Sequence, residues 1–118
     1  MAPIKIQTAY LPVEVELWGA VYETVDLTAA QAEQEAELYA DALATDDEEE
    51  AVAVWGRYLD LILKPQEGTK KVSTALKREF KAGRMTSRQV VGITLQVKAA
   101  EQGETAKVLQ KLAAGRPI

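Results

Sequence analysis

The chain reads as a mainly α protein, four or five short helices behind an N-terminal β-hairpin, and three observations predict that class. Apolar residues from position 28 onward recur at spacings of three and four. Capping-box pairs at Thr28–Gln31, Asp46–Glu49 and Thr86–Gln89 mark helix starts. Residues 13–25 alone are rich in β-formers and carry the period-two alternation of a strand. At 118 residues the chain suits one domain. Its expected parts are an extended arm over 1–12, the hairpin over 13–27 and a helical region over 28–114.

Pro3 and Pro12, with no clean period between them, predict the arm. In the hairpin, Val13, Val15 and Leu17 alternate with Glu14, Glu16 and Trp18, and Val21 to Val25 forms the return strand after Gly19-Ala20. An isolated hairpin is marginal in water, so it must lie on helices or join other strands. The first helix, 28–44, is almost all Ala, Glu, Gln and Leu; Ala32, Ala36, Tyr39 and Leu43 give it a thin apolar stripe suited to close packing against another helix. The next helix, about 47–64, places Ala51, Val54, Trp55, Tyr58, Leu59 and Ile62 at helical spacing and is the expected core helix. Asp47 to Glu50 sit at the positive end of its dipole, and Lys64 precedes the terminating Pro65.

Pro65 to Thr69, with Gly68, predicts a short connection. A third helix over 71–82 has Val72, Ala75, Leu76 and Phe80 on one side and Lys77, Arg78 and Lys81 on the other, with Gly83 as its stop. The fourth, from Thr86 to Gln102, carries Val90, Ile93, Leu95 and Val97, and Gly92 interrupts it mildly. Gly103 is expected to close it, leaving Thr105 to cap a last short helix tethered by Val108, Leu109 and Leu112.

Charge is sorted by position. Residues 1–63 hold fourteen acids against Lys5 and Arg57, whereas residues 64–118 hold twelve bases against Glu67, Glu79, Glu101 and Glu104, which conceals two opposed halves behind a net of −4. Such opposition speaks of association, with a partner or with further copies of the chain, rather than of fold. The chain has no histidine and no cysteine, which excludes Ser-His hydrolysis, a thiolate nucleophile, histidine- or cysteine-bound zinc and any disulfide. No spacing identifies a Lys, Ser or carboxylate active site, so the expectation is a protein that is not an enzyme and needs no cofactor. The acidic run Asp46 to Glu50 lacks the D-x-[DN]-x-[DN]-G layout of a calcium loop and reads as a helix N-terminal charge cluster. No apolar run approaches the roughly 20 residues of a membrane span, and Met1 to Gln7 does not resemble a secretory leader, so a soluble cytoplasmic protein is expected.

Helix, Ala82-Gly83-Arg84-Met85, helix has the outline of a helix-turn-helix, with Arg84 and Arg88 where base contacts would fall. The second helix is apolar on too much of its surface to lie in a DNA groove, and the acidic half would oppose a phosphate backbone; nucleic acid is not the expected partner. Surface candidates for a protein partner are Trp18 and Tyr22 on the hairpin and the bases Lys77, Arg78, Lys81, Arg84 and Arg88. Two readings of Trp18 stand together: a ring covering a helix, and a ring marking a contact surface.

Val13 to Leu27 leading into an acidic helix, and Leu76-Lys77-Arg78-Glu79-Phe80-Lys81-Ala82-Gly83 followed by an apolar helix, give a layout that resembles the tail assembly chaperones of long-tailed bacteriophages. The resemblance covers most of the chain and implies a non-enzymatic protein that binds the helical tape-measure protein, keeps it soluble and recruits tail-tube subunits. Two other classes fit the same residues. One is an inhibitor whose acidic face, Glu33 to Glu50, mimics nucleic acid and blocks a host defence protein; the other is a head-tail connector subunit that joins neighbours through the arm.

Overall fold

The computed structural model describes residues 3, 10 and 12–114, the last of these as backbone only beyond residue 103. Most of the expected arm, and the tethering side chains Val108, Leu109 and Leu112, lie outside the described residues. The element order is β1 (Glu14–Leu17), β2 (Ala20–Thr24), α1 (Ala29–Ala44), α2 (Glu48–Ile62), β3 (Leu63–Pro65), α3 (Val72–Lys81) and α4 (Ser87–Ala114). The mainly α class with an N-terminal hairpin is therefore the observed one.

β1 and β2 pair antiparallel with Leu17 opposite Ala20, so Trp18 and Gly19 alone form the loop. Both have positive φ, +52° and +78°, which is the type I′ geometry that matches the twist of the strands. The turn thus falls one residue earlier than Gly19-Ala20, and Trp18 belongs to the turn and not to a strand face. β3, which the apolar period alone merges into the end of α2, pairs antiparallel with β2 (Tyr22 opposite Pro65, Thr24 opposite Leu63) and completes a sheet of order β1-β2-β3. Pro65 terminates an edge strand, where its missing N–H costs no ladder bond.

α2 is the centre. Ala51, Val52, Val54, Trp55, Gly56, Tyr58, Leu59 and Ile62 are all buried, and α1, α3, α4 and β3 pack on α2. On one side Trp55 and Tyr58 stack edge-on to each other (centroids 5.6 Å apart) and both meet Tyr39 of α1, at 5.5 and 5.8 Å. On the other, Gly56 lets α3 approach so closely that an added Cβ would lie 3.1 Å from Ser73 Cβ, and Asp60 accepts a 3.0 Å bond from Ser73 N–H. Around the helix Gly56 lies about 100° from Trp55 and about 160° from Tyr58, so α1 and α3 flank α2 on different sides.

Capping follows chemistry with one shift. Thr28 and Gln31 close a full capping box on α1, and Thr86 and Gln89 exchange the same bonds at the start of α4. At α2 the cap is Asp47, accepting from Glu50 N–H at 2.9 Å, one residue beyond the expected Asp46. α3 ends in a Schellman motif: Arg84 N–H donates to Glu79 C=O, Gly83 N–H to Phe80 C=O, and Gly83 takes φ +75°.

Two helical faces differ from expectation. α1 turns Leu38, Tyr39 and Ala42 toward the core, while Ala32, Ala36 and Leu43 of the expected packing stripe are exposed. Leu38 and Ala42 lie about one turn apart on the neighbouring face, and Tyr39, at the border of the two faces, sets its ring against Trp55 and Tyr58. In α4, Val90, Thr94 and Val97 are buried but Leu95 is 60% exposed. α4 also runs unbroken for 28 residues, so Gly103 does not close it and no separate fifth helix follows among the described residues. A helix of that length spans about 42 Å, more than either short dimension of a molecule measuring 60 × 28 × 23 Å.

Candidate functional site

The Trp18-Gly19 turn and the start of α3 form the two walls of an open cleft of about 350 Å³. Trp18 and Ala20 come from the hairpin; Lys70, Thr74 and Arg78 come from α3 and the loop before it. Tyr22, 1% exposed, forms the floor. Its burial corrects the expectation of a free surface ring: Tyr22 shapes the cleft from beneath while its side chain serves the core, and burial holds its hydroxyl proton more tightly than usual.

Trp18 is the one described non-glycine residue with positive φ. For an L-residue the left-handed region costs roughly 1 kcal/mol, and Asn or Gly would fill this turn position without it. The residue is partly exposed and packs against the edge of the core cluster, which leaves part of it open beside the cleft.

The basic candidates divide into groups. Arg78 joins Trp18 and Tyr22 in the cleft while its guanidinium also reaches the Glu79 carboxylate at 3.3 Å. Arg84 binds the second oxygen of the same carboxylate, so Glu79, largely covered by the protein, is held between two guanidinium groups and its proton affinity falls below the usual carboxylate range, chiefly through the Arg84 hydrogen bond. Lys77 and Lys81 line a neighbouring cleft of about 380 Å³ with Phe80, Gly56 and Glu49. Arg88 is exposed at the first turn of α4, where its charge helps hold Glu48 ionised. Among the described residues, Lys77, Lys81 and Arg88 form no ion pair.

Three of the seven candidates are therefore brought together, two line the adjoining cleft, and Arg84 and Arg88 continue the basic flank past the α3–α4 turn. Lys70 and Thr74, absent from the sequence-based set, complete the site. The signal that could have found them was Gly68, whose φ of +83° turns the loop so that Lys70 faces the hairpin cleft.

The acidic run is occupied locally. Asp47 caps α2, and Glu48 reaches across to α4, accepting from Ser87 N–H at 2.6 Å and Ser87 Oγ–H at 2.8 Å. Those bonds, the backbone one first, lower the Glu48 pKa. Among the described residues no three acidic side chains group as a metal site, and no helix is long and apolar enough to cross a membrane.

The charge sorting of the sequence survives folding. Exposed Glu33, Glu37 and Asp41 lie along α1 on one flank of α2, and exposed Lys77, Arg78 and Lys81 lie along α3 on the other. Comparisons of the chain with protein-family models, curated proteins and solved structures gave no match.

Proposed function

We propose that the chain is a non-enzymatic binding factor for phage tail assembly, a chaperone that holds the tape-measure protein and brings tail-tube subunits to it. The observation that carries this reading is the Trp18 cleft: an aromatic ring kept in a backbone conformation that costs stability, beside Lys70 and Arg78, on the basic flank of a molecule whose opposite flank is acidic. Strain retained at a partly exposed aromatic supports a recognition role. Opposed flanks suit a factor that engages two different partners at once.

The test is mass by light scattering at low and high salt, for the protein alone and mixed with a tape-measure fragment. Uptake of the fragment, weakened by salt and by Trp18→Asn, is expected; Asn fits the turn, so the variant should keep its Tm while losing roughly tenfold in affinity, about 1.4 kcal/mol. A monomer that ignores the fragment at both salts overturns the reading. It would favour the acidic-mimic alternative, which rests on the base-free exposed row Glu33, Glu37 and Asp41 and calls for tight binding to a basic nucleic-acid enzyme.

A further inference from the structure

The α1 stripe meets α2 only through the Tyr39 ring and leaves Ala32, Ala36 and Leu43 exposed, and it lines a groove. Ala32, Ala36 and Tyr39 form one wall of an open groove of about 470 Å³, Thr94, Leu95 and Lys98 of α4 form the other, and Tyr58 and Glu35 form its floor. The floor is internally satisfied: Tyr58 O–H donates to Glu35 at 3.2 Å and Lys98 binds the same carboxylate oxygen. The walls are not. Leu95 is 60% exposed and Leu43, the next residue along the α1 stripe, 56%; these are the exposed large aliphatic side chains of the described region. Thr94, only 2% exposed, has a hydroxyl with no hydrogen-bond partner among the described residues, an uncommon state for a buried polar group.

We infer that this groove is a docking site for a helix of a partner protein, one with small and aliphatic residues along a seam and Lys or Arg beside it. Alanines four apart on α1 let a second backbone come close, and the open slot between two helices has the shape of a helix-in-groove site. Charge selects the occupant. The outer rim of α1 carries exposed Glu33 and Glu37, neither in an ion pair among the described residues, and α1 contains no base; Lys98, the cation lining the groove, is committed to Glu35. A helix with acidic flanks would meet like charge along that whole rim, whereas a basic one would neutralise it. The groove stands on its own geometry, and only naming its occupant as part of the tape-measure protein rests on the proposed function.

The probe is a labelled synthetic helix of 16 residues, the length of α1, with an Ala/Leu seam and Lys flanks, against a counterpart with the same seam and Glu flanks. Anisotropy should show the Lys helix bound at least about tenfold more tightly, with the preference shrinking as salt screens the rim. Ala36→Gln, at an exposed helix position and so compatible with folding, should weaken both peptides about tenfold by filling the slot, while Glu33→Gln with Glu37→Gln should erase the preference. Glu67→Gln, in the exposed turn before α3, should change affinity less than about twofold. Absence of binding, or binding indifferent to Ala36→Gln, overturns the groove. So does a light-scattering dimer that Ala36→Gln converts to monomer, since the occupant would then be a second copy. A tape-measure fragment bound equally by Ala36→Gln leaves the chaperone reading in place and removes the groove as its seat; Lys-helix binding lost in Ala36→Gln, with no fragment uptake, keeps the groove and removes the chaperone.

Discussion

Tyr58 joins core and surface in one residue. Its ring stacks on Trp55 and Tyr39, and its hydroxyl donates to Glu35, which also holds Lys98. Burial first, and then the neighbouring Glu35 charge, raises the phenol pKa well above its ordinary 10.0. The folded state therefore holds the proton more tightly than the unfolded one, so this contribution is complete below about pH 10 and is lost as pH rises beyond it. Tyr10, bonded to Glu101, and Tyr22 shift in the same direction and add to the same limb. Melting curves between pH 8 and 11 should show Tm falling steeply for the wild type and less steeply for Tyr58→Phe, which should also be about 1 kcal/mol less stable at neutral pH for want of the hydrogen bond. An unchanged alkaline slope would remove Tyr58 from this role. The same residue shows what was legible at this scale. Trp55, Tyr58 and Ile62 on a buried stripe follow from periodicity, but Glu35 as their polar partner does not, because that bond spans 23 residues and depends on how α1 is rotated.

Gly83 and Gly103 show how far elements can be read. Both follow an apolar-periodic run, and both read as helix stops. Only Gly83 takes the left-handed conformation, with Arg84 N–H returning to Glu79 C=O; Gly103 lies inside α4, and a Cβ added there would have nothing within 4 Å. Alanine should therefore act oppositely at the two sites. Gly83→Ala should destabilise by about 1 kcal/mol through the positive φ, whereas Gly103→Ala should stabilise by up to about 1 kcal/mol through helix propensity and raise the far-UV helical signal. If Gly103→Ala lowers Tm, α4 ends where the sequence rule placed its end. Helix starts were more legible than helix stops, since Thr28–Gln31 and Thr86–Gln89 carry their bonding partners within four residues. β3 was not legible because Leu63 and Lys64 read as the end of α2 and Pro65 as its stop, and the three become a strand only by pairing with β2. The rotation of α1 was equally hidden: an Ala-rich helix offers two apolar faces, and the core takes the one holding Leu38 and Ala42, with Tyr39 at its border. The Trp18 cleft was half legible, since Trp18 and Arg78 stand out by residue type while Lys70 enters only through the turn at Gly68.

At the scale of the molecule, α2 keeps the two charged flanks apart and packs against the helix that carries each. The close approach at Gly56 fixes the basic flank, so Gly56→Val should cost about 1–3 kcal/mol by forcing α3 outward, and near-UV and far-UV melting curves should shift together because Trp55 and the helices share that core. Segregated charge has its own thermodynamic sign. Each flank gathers like charges that repel, Glu33, Glu37 and Asp41 on α1 and Lys77, Arg78 and Lys81 on α3, while Arg78, Arg84 and Lys98 find their carboxylates at Glu79 and Glu35. Screening over a Debye length of about 10 Å at 0.1 M salt should relieve more repulsion within the flanks than it removes attraction between them, because the width of α2 separates the opposite signs. Tm should therefore rise by a few degrees between about 0.01 M and 0.5 M sodium chloride, the reverse of the salt-weakened binding expected at either flank. A partner supplying the missing counter-charge should stabilise the fold most at low salt, where the flanks have the most repulsion to lose. A Tm that falls with salt would mean that attraction across the molecule dominates and that the flanks are not waiting for partners.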